Sequence, residues 1–366
     1  MFTKAVAITT AFFKIVRYIM PVSLYDYSNS KLETILEMNE IISSISNRYY
    51  IDLDWMYGPN IMVVCEEENE EKLVMNVLKD LSNKYKKIEG DYTFKERLYF
   101  NEQKRLSDLE LRKLDKIQVH KHGTLITRPE KTSIFNSNFQ KKEFRAIRFE
   151  LNSLYTEILS YFRELNLPSA KLVYFITLFK RTSEIFYLGE EFGYLSFLSH
   201  IMGFFSNISN DFNRKKVLEN FEKIYFDYKN RNYTVEYELI SEKVDMVIDC
   251  FKKFYLKMIE YYNTINIRDS KIEESSYLSY QKQFNLFKEY ISKLDNSYHL
   301  SLLSMDNLDS LMLSPEMLAF RDVINLMYVS LPLFEQSMLK KHLFCYMVVK
   351  EFEHNHPDKV RYKFSL

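Results

Sequence analysis

The stretch Tyr49 to Glu67, YYIDLDWMYGPNIMVVCEE, constrains this chain most. Two runs rich in aromatic and β-branched residues flank a Gly58-Pro59 turn, and a period of two on both sides of such a turn marks a strand pair. The rest of the chain is short of the residues that loops need, with six Gly and seven Pro in 366 residues. That scarcity selects long helices over a loop-rich all-β fold. The expected fold class is α+β: a small mixed or antiparallel sheet lobe at the N-terminus packed on a larger, mostly helical lobe.

Residues 1–130 are expected to form the α/β lobe. Ala11 to Met20 is predicted as a first strand, followed by the polar loop Ser28-Asn29-Ser30 and a helix over Lys31 to Ser46. A second helix starts in the acidic Glu66-Glu67-Glu68, which suits the positive end of a helix dipole, and runs to Tyr85. Residues 95–116 are charge-dense and predict an exposed helix or loop. Ile117 to Val119 and Thr124 to Thr127 flank His120-Lys121-His122-Gly123 and predict a short hairpin; the polar Glu130 to Gln140 is the boundary.

Across 143–366 the period is helical. Ile147, Leu151, Leu154, Ile158, Tyr161 and Leu165 share one face of a helix that ends before Pro168. Ala170 to Tyr187 is a second helix, stopping near Gly189. Glu191 to Phe205 is apolar on nearly every side, the pattern of a helix buried among others. Val244, Ile248, Phe251, Tyr255, Met258 and Tyr262 make a further stripe, ahead of the polar loop Asn263 to Ser276. Ser314-Pro315-Glu316 reads as a capped helix start with a first-turn proline. Pro332 breaks that helix, and a last one runs to about Phe352. The two lobes are expected to fold as one integrated unit.

Lys plus Arg equals Asp plus Glu at 50 each, which removes any overall pull toward nucleic acid or acidic membrane. Cys65, Cys250 and Cys345 are widely spaced with no CxxC pair, so neither a disulfide framework nor a cysteine zinc site is indicated, and a reducing cytoplasm fits. Lys14 and Arg17 interrupt the apolar run Ala5 to Phe13 before any cleavage site, unlike a signal peptide. No later stretch reaches the roughly 18 charge-free apolar residues of a membrane span. A soluble, cytoplasmic protein is expected. The motifs GxGxxG, Gly-rich Lys-Ser/Thr, HExxH and GxSxG do not occur, which argues against nucleotide cradling. No cofactor or metal is expected.

Few side chains stand out for chemistry. His120 and His122 alternate onto one side of a strand, and His354-x-His356 repeats the spacing. With no third ligand close in sequence, solvent-exposed histidines are the simpler reading of both. His200 lies in LSFLSHIMGFF, a stretch with no other ionisable group, with Ser196 one turn before it and Ser199 beside it. Burial would depress its pKa and poise it for proton transfer; the alternative is a core histidine bonded to a carbonyl. Glu190 and Glu191 complement the dipole of the same helix, with acid catalysis as the alternative. The 28 Tyr and 29 Phe recur at helical spacing, which points to core packing before base stacking.

Phe12-Phe13-Lys14, Tyr49-Tyr50-Ile51-Asp52, Gly58-Pro59-Asn60-Ile61 and Met62-Val63-Val64 follow one another in a recognisable order. The N-terminal lobe resembles the elimination-domain family of lanthipeptide and thiopeptide biosynthesis. In that family an aromatic strand is followed by a Gly-Pro-His turn and a strand carrying arginines. Gly193 to His200 (GYLSFLSH), Phe320 to Tyr328 (FRDVINLMY) and the aromatic helix ending Glu351-Phe352-Glu353 are similar to segments of the thiopeptide branch. The resemblance covers most of the chain. Eliminating members hold a departing glutamate with the strand arginines, since a guanidinium is the natural bidentate partner of a carboxylate. Here that strand offers Met62, Val63 and Val64, and the turn histidine is Asn60.

That departure fits the branch of thiopeptide pyridine synthases. These join two dehydroalanines of one modified peptide in a formal aza-[4+2] cycloaddition, then expel water and the leader peptide to leave a macrocyclic pyridine. Holding the alkenes in register is worth about 7–11 kcal/mol in favourable intramolecular cases, and the proton transfers need an acid/base pair of modest strength. The resemblance implies His200 for that work, with Tyr57 or another tyrosine and Ser199. It implies substrate contacts at Asp52, Asn60, Ser196, Glu191, Asn325 and Tyr328. The implied partner is a ribosomally made precursor peptide, with its leader and an azole- and dehydroamino-acid-bearing core, and other biosynthetic enzymes beside it. Neither nucleic acid nor membrane is implied. The leader would add to the edge of the small sheet or lie in a groove of the same lobe. Alternatives are a glutamate-eliminating dehydratase subunit or a related peptide–aminoacyl-tRNA ligase fragment, a non-catalytic scaffold for the precursor, and an unrelated helical protein.

Overall fold

The computed structural model describes residues 21–87, 92–110, 118–127, 138–208, 210–266, 284–294, 296–360, 362 and 364. The chain divides into two compact units, Met1–Ile134 and Phe135–Leu366. Sheet and helices together make the α+β class expected from the sequence.

In the first unit, β1 (Val22–Tyr25), β2 (Tyr49–Asp54), β3 (Asn60–Cys65) and β4 (Leu125–Thr127) form an antiparallel sheet in the order β2-β3-β1-β4. β2 and β3 pair from Tyr49 with Cys65 to Asp54 with Asn60. Their turn holds two left-handed residues, Tyr57 at φ 63° and Gly58 at φ 126°. A side chain at 58 would also collide with the Tyr27 hydroxyl, so glycine is required there twice over. The buried Asn60 amide fastens the turn, donating to the carbonyls of Gly58 (2.9 Å), Asp54 (3.1 Å) and Met56 (3.3 Å). Helices α1 (Leu32–Ser43), α2 (Glu68–Lys86) and α3 (Tyr92–Glu110) are the unit's helices among the described residues. α2 buries Val74, Leu78, Leu81 and Tyr85, the spacing of an amphipathic helix.

The sequence reading needs correction at two places in this unit. Residues 118–120 form no strand, and β4 pairs with β1 in place of the expected hairpin partner. His122 is buried, not solvent-exposed: its ring stacks on Tyr92 at 3.9 Å and its Nδ1 accepts the Tyr27 N–H at 3.1 Å. The predicted strand Ala11 to Met20 lies outside the described residues, as do most of the connector at 130–140 and most of the loop at 263–276.

The second unit is helical: α4 (Asn138–Leu165), α5 (Pro168–Ser183), α6 (Glu190–Ser206), α7 (Asp211–Lys229), α8 (Thr234–Asn266), α9 (Ser297–Leu303), α10 (Leu308–Met312), α11 (Pro315–Ser330) and α12 (Met338–Asn355), with a 3-10 turn at Leu331–Phe334. α8 packs along α4, α5 and α11, and α12 along α5 and α6. The aromatic residues supply the filling. Phe175 stacks on Phe344 at 5.2 Å, Phe179 on Phe197 at 5.3 Å, and Tyr194 on Phe352 at 4.0 Å, all buried. Ser314 caps α11 by accepting the Met317 N–H at 3.2 Å. Pro315–Phe334 is apolar and long enough to cross a membrane, but 67% of that stretch is buried in the protein, so its apolarity serves the core.

Candidate active site

Three helices of the second unit bring polar groups together. α6 supplies Ser196 and His200 one turn apart; α11 supplies Arg321, Asn325 and Tyr328 at i, i+4 and i+7; α12 supplies Lys341 and Cys345. Such spacings place each set on one helix face. On α11 the three are half-buried while Phe320, Asp322, Val323, Ile324, Leu326 and Met327 are buried, so a polar strip runs along the open side.

Tyr328 is the hub. The His200 ring meets it edge-on, with centroids 5.0 Å apart at 76°. Lys341 Nζ stands over its face, 4.6 Å from the centroid, and its hydroxyl meets Cys345 Sγ at 3.4 Å. His200 Nδ1 lies 2.7 Å from the Ser196 carbonyl, so in the neutral ring Nδ1 carries the proton and Nε2 keeps a lone pair. Burial above all, and then the charges of Lys341 and Arg321, press the His200 pKa down to about 4. His200 as a whole residue is half-buried. Burial also lowers the Lys341 pKa, raises the Tyr328 phenol far above its usual range and lifts the Cys345 thiol to about 11. Near neutral pH the site therefore presents a neutral imidazole base close to a protonated phenol and a protonated thiol. Beside it, His342 Nδ1 bonds the Met338 carbonyl at 2.8 Å and its ring stacks on Phe204 at 4.2 Å.

Four of the expected site residues thus lie on these helix faces: His200, Ser196, Asn325 and Tyr328. Ser199 is engaged elsewhere, its hydroxyl 3.1 Å from Nε2 of the buried His299 on α9. Glu191 pairs with Lys359 at 2.8 Å and stands nine residues before His200, about 13 Å along the helix. Asp52, Tyr57 and Asn60 belong to the sheet unit. The Asp52 carboxylate accepts the Leu53 N–H at 2.8 Å, and the carbonyl of the buried Tyr57 accepts the His120 N–H at 2.8 Å. Among the described residues no three His, Cys, Asp or Glu side chains converge as a metal site would require.

No protein-family model matches the sequence, and no curated protein matches it. Solved structures do resemble it. The pyridine synthase TbtD from thiomuracin biosynthesis superposes with a TM-score of 0.56 at 11% identity, over 93% of this chain and 99% of that one. TsrL superposes with a TM-score of 0.52 at 12% identity, over 94% and 99%. The chain has a thiopeptide pyridine synthase fold.

Within this pyridine synthase fold, sequence reasoning passed over Arg321, Lys341 and Cys345 as site groups. A signal was present. Lys340 and Lys341 both stand in the first turn of α12, where the helix dipole disfavours cations. Residues kept against local preference mark places where something other than stability decides.

On the hidden side of α11, Asp322 accepts the Tyr262 hydroxyl at 2.6 Å and the Gln140 amide at 3.3 Å, joining three helices. Burial raises its pKa to about 7, against the pull of those bonds. The folded protein therefore holds this proton more tightly than the unfolded chain, and its stability falls as pH rises from about 4 through about 7. Asp322→Asn is neutral at every pH and keeps a carbonyl acceptor for Tyr262. The variant should match the wild type at about pH 3.5, below the unfolded carboxyl's range, and exceed it by a few kcal/mol, as an order of magnitude, at pH 8. Urea melts at the two pH values check this; a constant difference would show that Asp322 does not titrate with folding.

Proposed function

We propose that the chain is a thiopeptide-type pyridine synthase, closing a nitrogen heterocycle from two dehydroalanines of one precursor peptide. Supporting this is the whole-length likeness to TbtD, described as a pyridine synthase from thiomuracin biosynthesis. The observation that carries the chemistry is His200, a neutral imidazole with Nδ1–H tied to Ser196 and Nε2 free among the described residues. The absence of any cation on β3, where Val63 and Val64 are buried, supports cycloaddition over glutamate loss.

In this mechanism the amide between one dehydroalanine and its N-terminal neighbour tautomerises to an imidic acid, giving a 2-azadiene. Its terminal CH2 bonds to the CH2 of the second dehydroalanine, and the imidic carbon bonds to that residue's α-carbon. Two C–C bonds close the six-membered ring. His200 Nε2 takes the amide proton as the tautomer forms, and returns a proton as water and then the leader amide depart. The Asn325 amide, on the same strip of α11 as Tyr328, orients the reacting amide. Positioning supplies most of the rate.

Mass spectrometry of a leader-bearing, azole-containing, dehydrated precursor incubated with the purified protein tests the reading. The expected products are an intact leader ending in an amide and a core that has lost leader and water. The second reading, glutamate elimination, gains from Arg321 and Lys341 beside His200, since such a pair could grip a glutamyl group. It predicts a loss of glutamate from a glutamylated precursor and no ring. Binding without any mass change would leave a scaffold.

A further inference from the structure

We propose that Arg321 and Lys341 form a carboxylate-binding subsite that anchors an acidic group of the core peptide beside His200; the core as ligand rests on the pyridine-synthase reading. Arg321 stands two turns before Tyr328 on α11, and Lys341 reaches over the Tyr328 ring from α12 at 4.6 Å, while His200 packs on the edge of the same ring at 5.0 Å. Among the described residues neither cation takes part in an ion pair or a hydrogen bond. The neighbouring carboxylate, Asp322, feels the Arg321 charge, but its bonds go to Tyr262 and Gln140.

Holding two half-buried cations with no carboxylate bonded to either is unfavourable. Lys341 adds to the strain, since it sits in the first turn of α12, where the backbone itself is positive. A bound anion removes both penalties at once. The guanidinium fork suits a carboxylate taken through two N–H groups, and the ammonium adds a point charge. A ribosomal peptide supplies a carboxylate at its C-terminus or on an Asp or Glu side chain. Held here, that group would fix the tail of the core relative to the base that serves the ring-forming atoms.

Three leader-bearing, azole- and dehydroalanine-containing peptides test the subsite. One ends in a free carboxylate and has no core Asp or Glu; a second is its C-terminal amide; a third is the amide with one core Glu. Fluorescence anisotropy reads affinity, and mass spectrometry reads ring closure. Wild-type protein should bind a carboxylate-bearing core about tenfold or more tighter than the plain amide, the range of a charge-assisted contact. Which of the two acids is preferred identifies the source. Arg321→Gln and Lys341→Gln should each shrink that ratio below about threefold. Equal affinity of wild-type protein for all three peptides overturns the subsite, whether or not a ring forms. A preference undiminished in both variants overturns these two cations as its origin. A preference lost in the variants, with no pyridine from any peptide, leaves the subsite standing and removes the pyridine-synthase reading.

Discussion

His200→Gln should lower the rate of the proposed ring closure by about 10²–10⁴-fold, the usual contribution of a positioned acid/base group, while affinity for a precursor's leader should be unchanged. Glutamine can keep a hydrogen bond to the Ser196 carbonyl and fill much of the space beside Tyr328, but it cannot carry a proton between substrate atoms. The pH profile makes the test sharper. With a pKa near 4, set by burial and by Lys341 and Arg321, His200 is in its base form throughout the neutral range. Wild-type activity should therefore be level in this group's titration from about pH 5 upward and fall as pH drops through about 4. The residual activity of the glutamine variant should lack that acid limb. Single-turnover mass spectrometry at several pH values gives both readouts. Undiminished turnover in His200→Gln would falsify the assignment of the base.

Why was His200 legible and its surroundings not? Its isolation was local information: one ionisable group in an apolar run, on a helix whose existence the run itself implied. The hairpin around Gly58 was legible for the same reason, since turn residues and alternation lie within one short stretch. Tyr328 and Asn325 came through resemblance, in a segment where they stand one turn apart. The partners that decide how His200 behaves were not local. Lys341 reaches it from a helix more than 130 residues later, and only packing of α12 along α6 brings them together. The hydroxyl of Ser199 meets His299 across a separation of 100 residues. His122 shows the opposite error. Its own neighbours are polar, so it read as exposed, whereas Tyr27, Tyr85 and Tyr92 cover it from three other parts of the sheet unit. Spacing along the chain reports which face a residue is on, and says nothing of what that face meets.

The helix that carries His200 is seated by a glycine, and Gly193→Ala should cost about 3 kcal/mol, lowering the melting temperature by roughly 6–12 °C for a unit of this size. Helix propensity alone points the other way, because alanine in place of glycine inside a helix gains about 1 kcal/mol. Geometry decides between them. A Cβ at 193 would overlap the backbone of Ser183 at the end of α5, and a backbone carbonyl cannot rotate aside as a side chain can. α6 must then back away from α5 and take the His200 ring with it. Gly203, farther along the same helix, is the internal control. There, among the described residues, a Cβ would meet only the His299 ring, at 3.9 Å, so Gly203→Ala should leave stability unchanged or raise it by up to about 1 kcal/mol. Calorimetry on the two variants separates the terms, and turnover measured well below the melting transition shows whether a displaced α6 still aims His200. Equal melting temperatures for the two would mean that close approach of α5 and α6 does not seat the site.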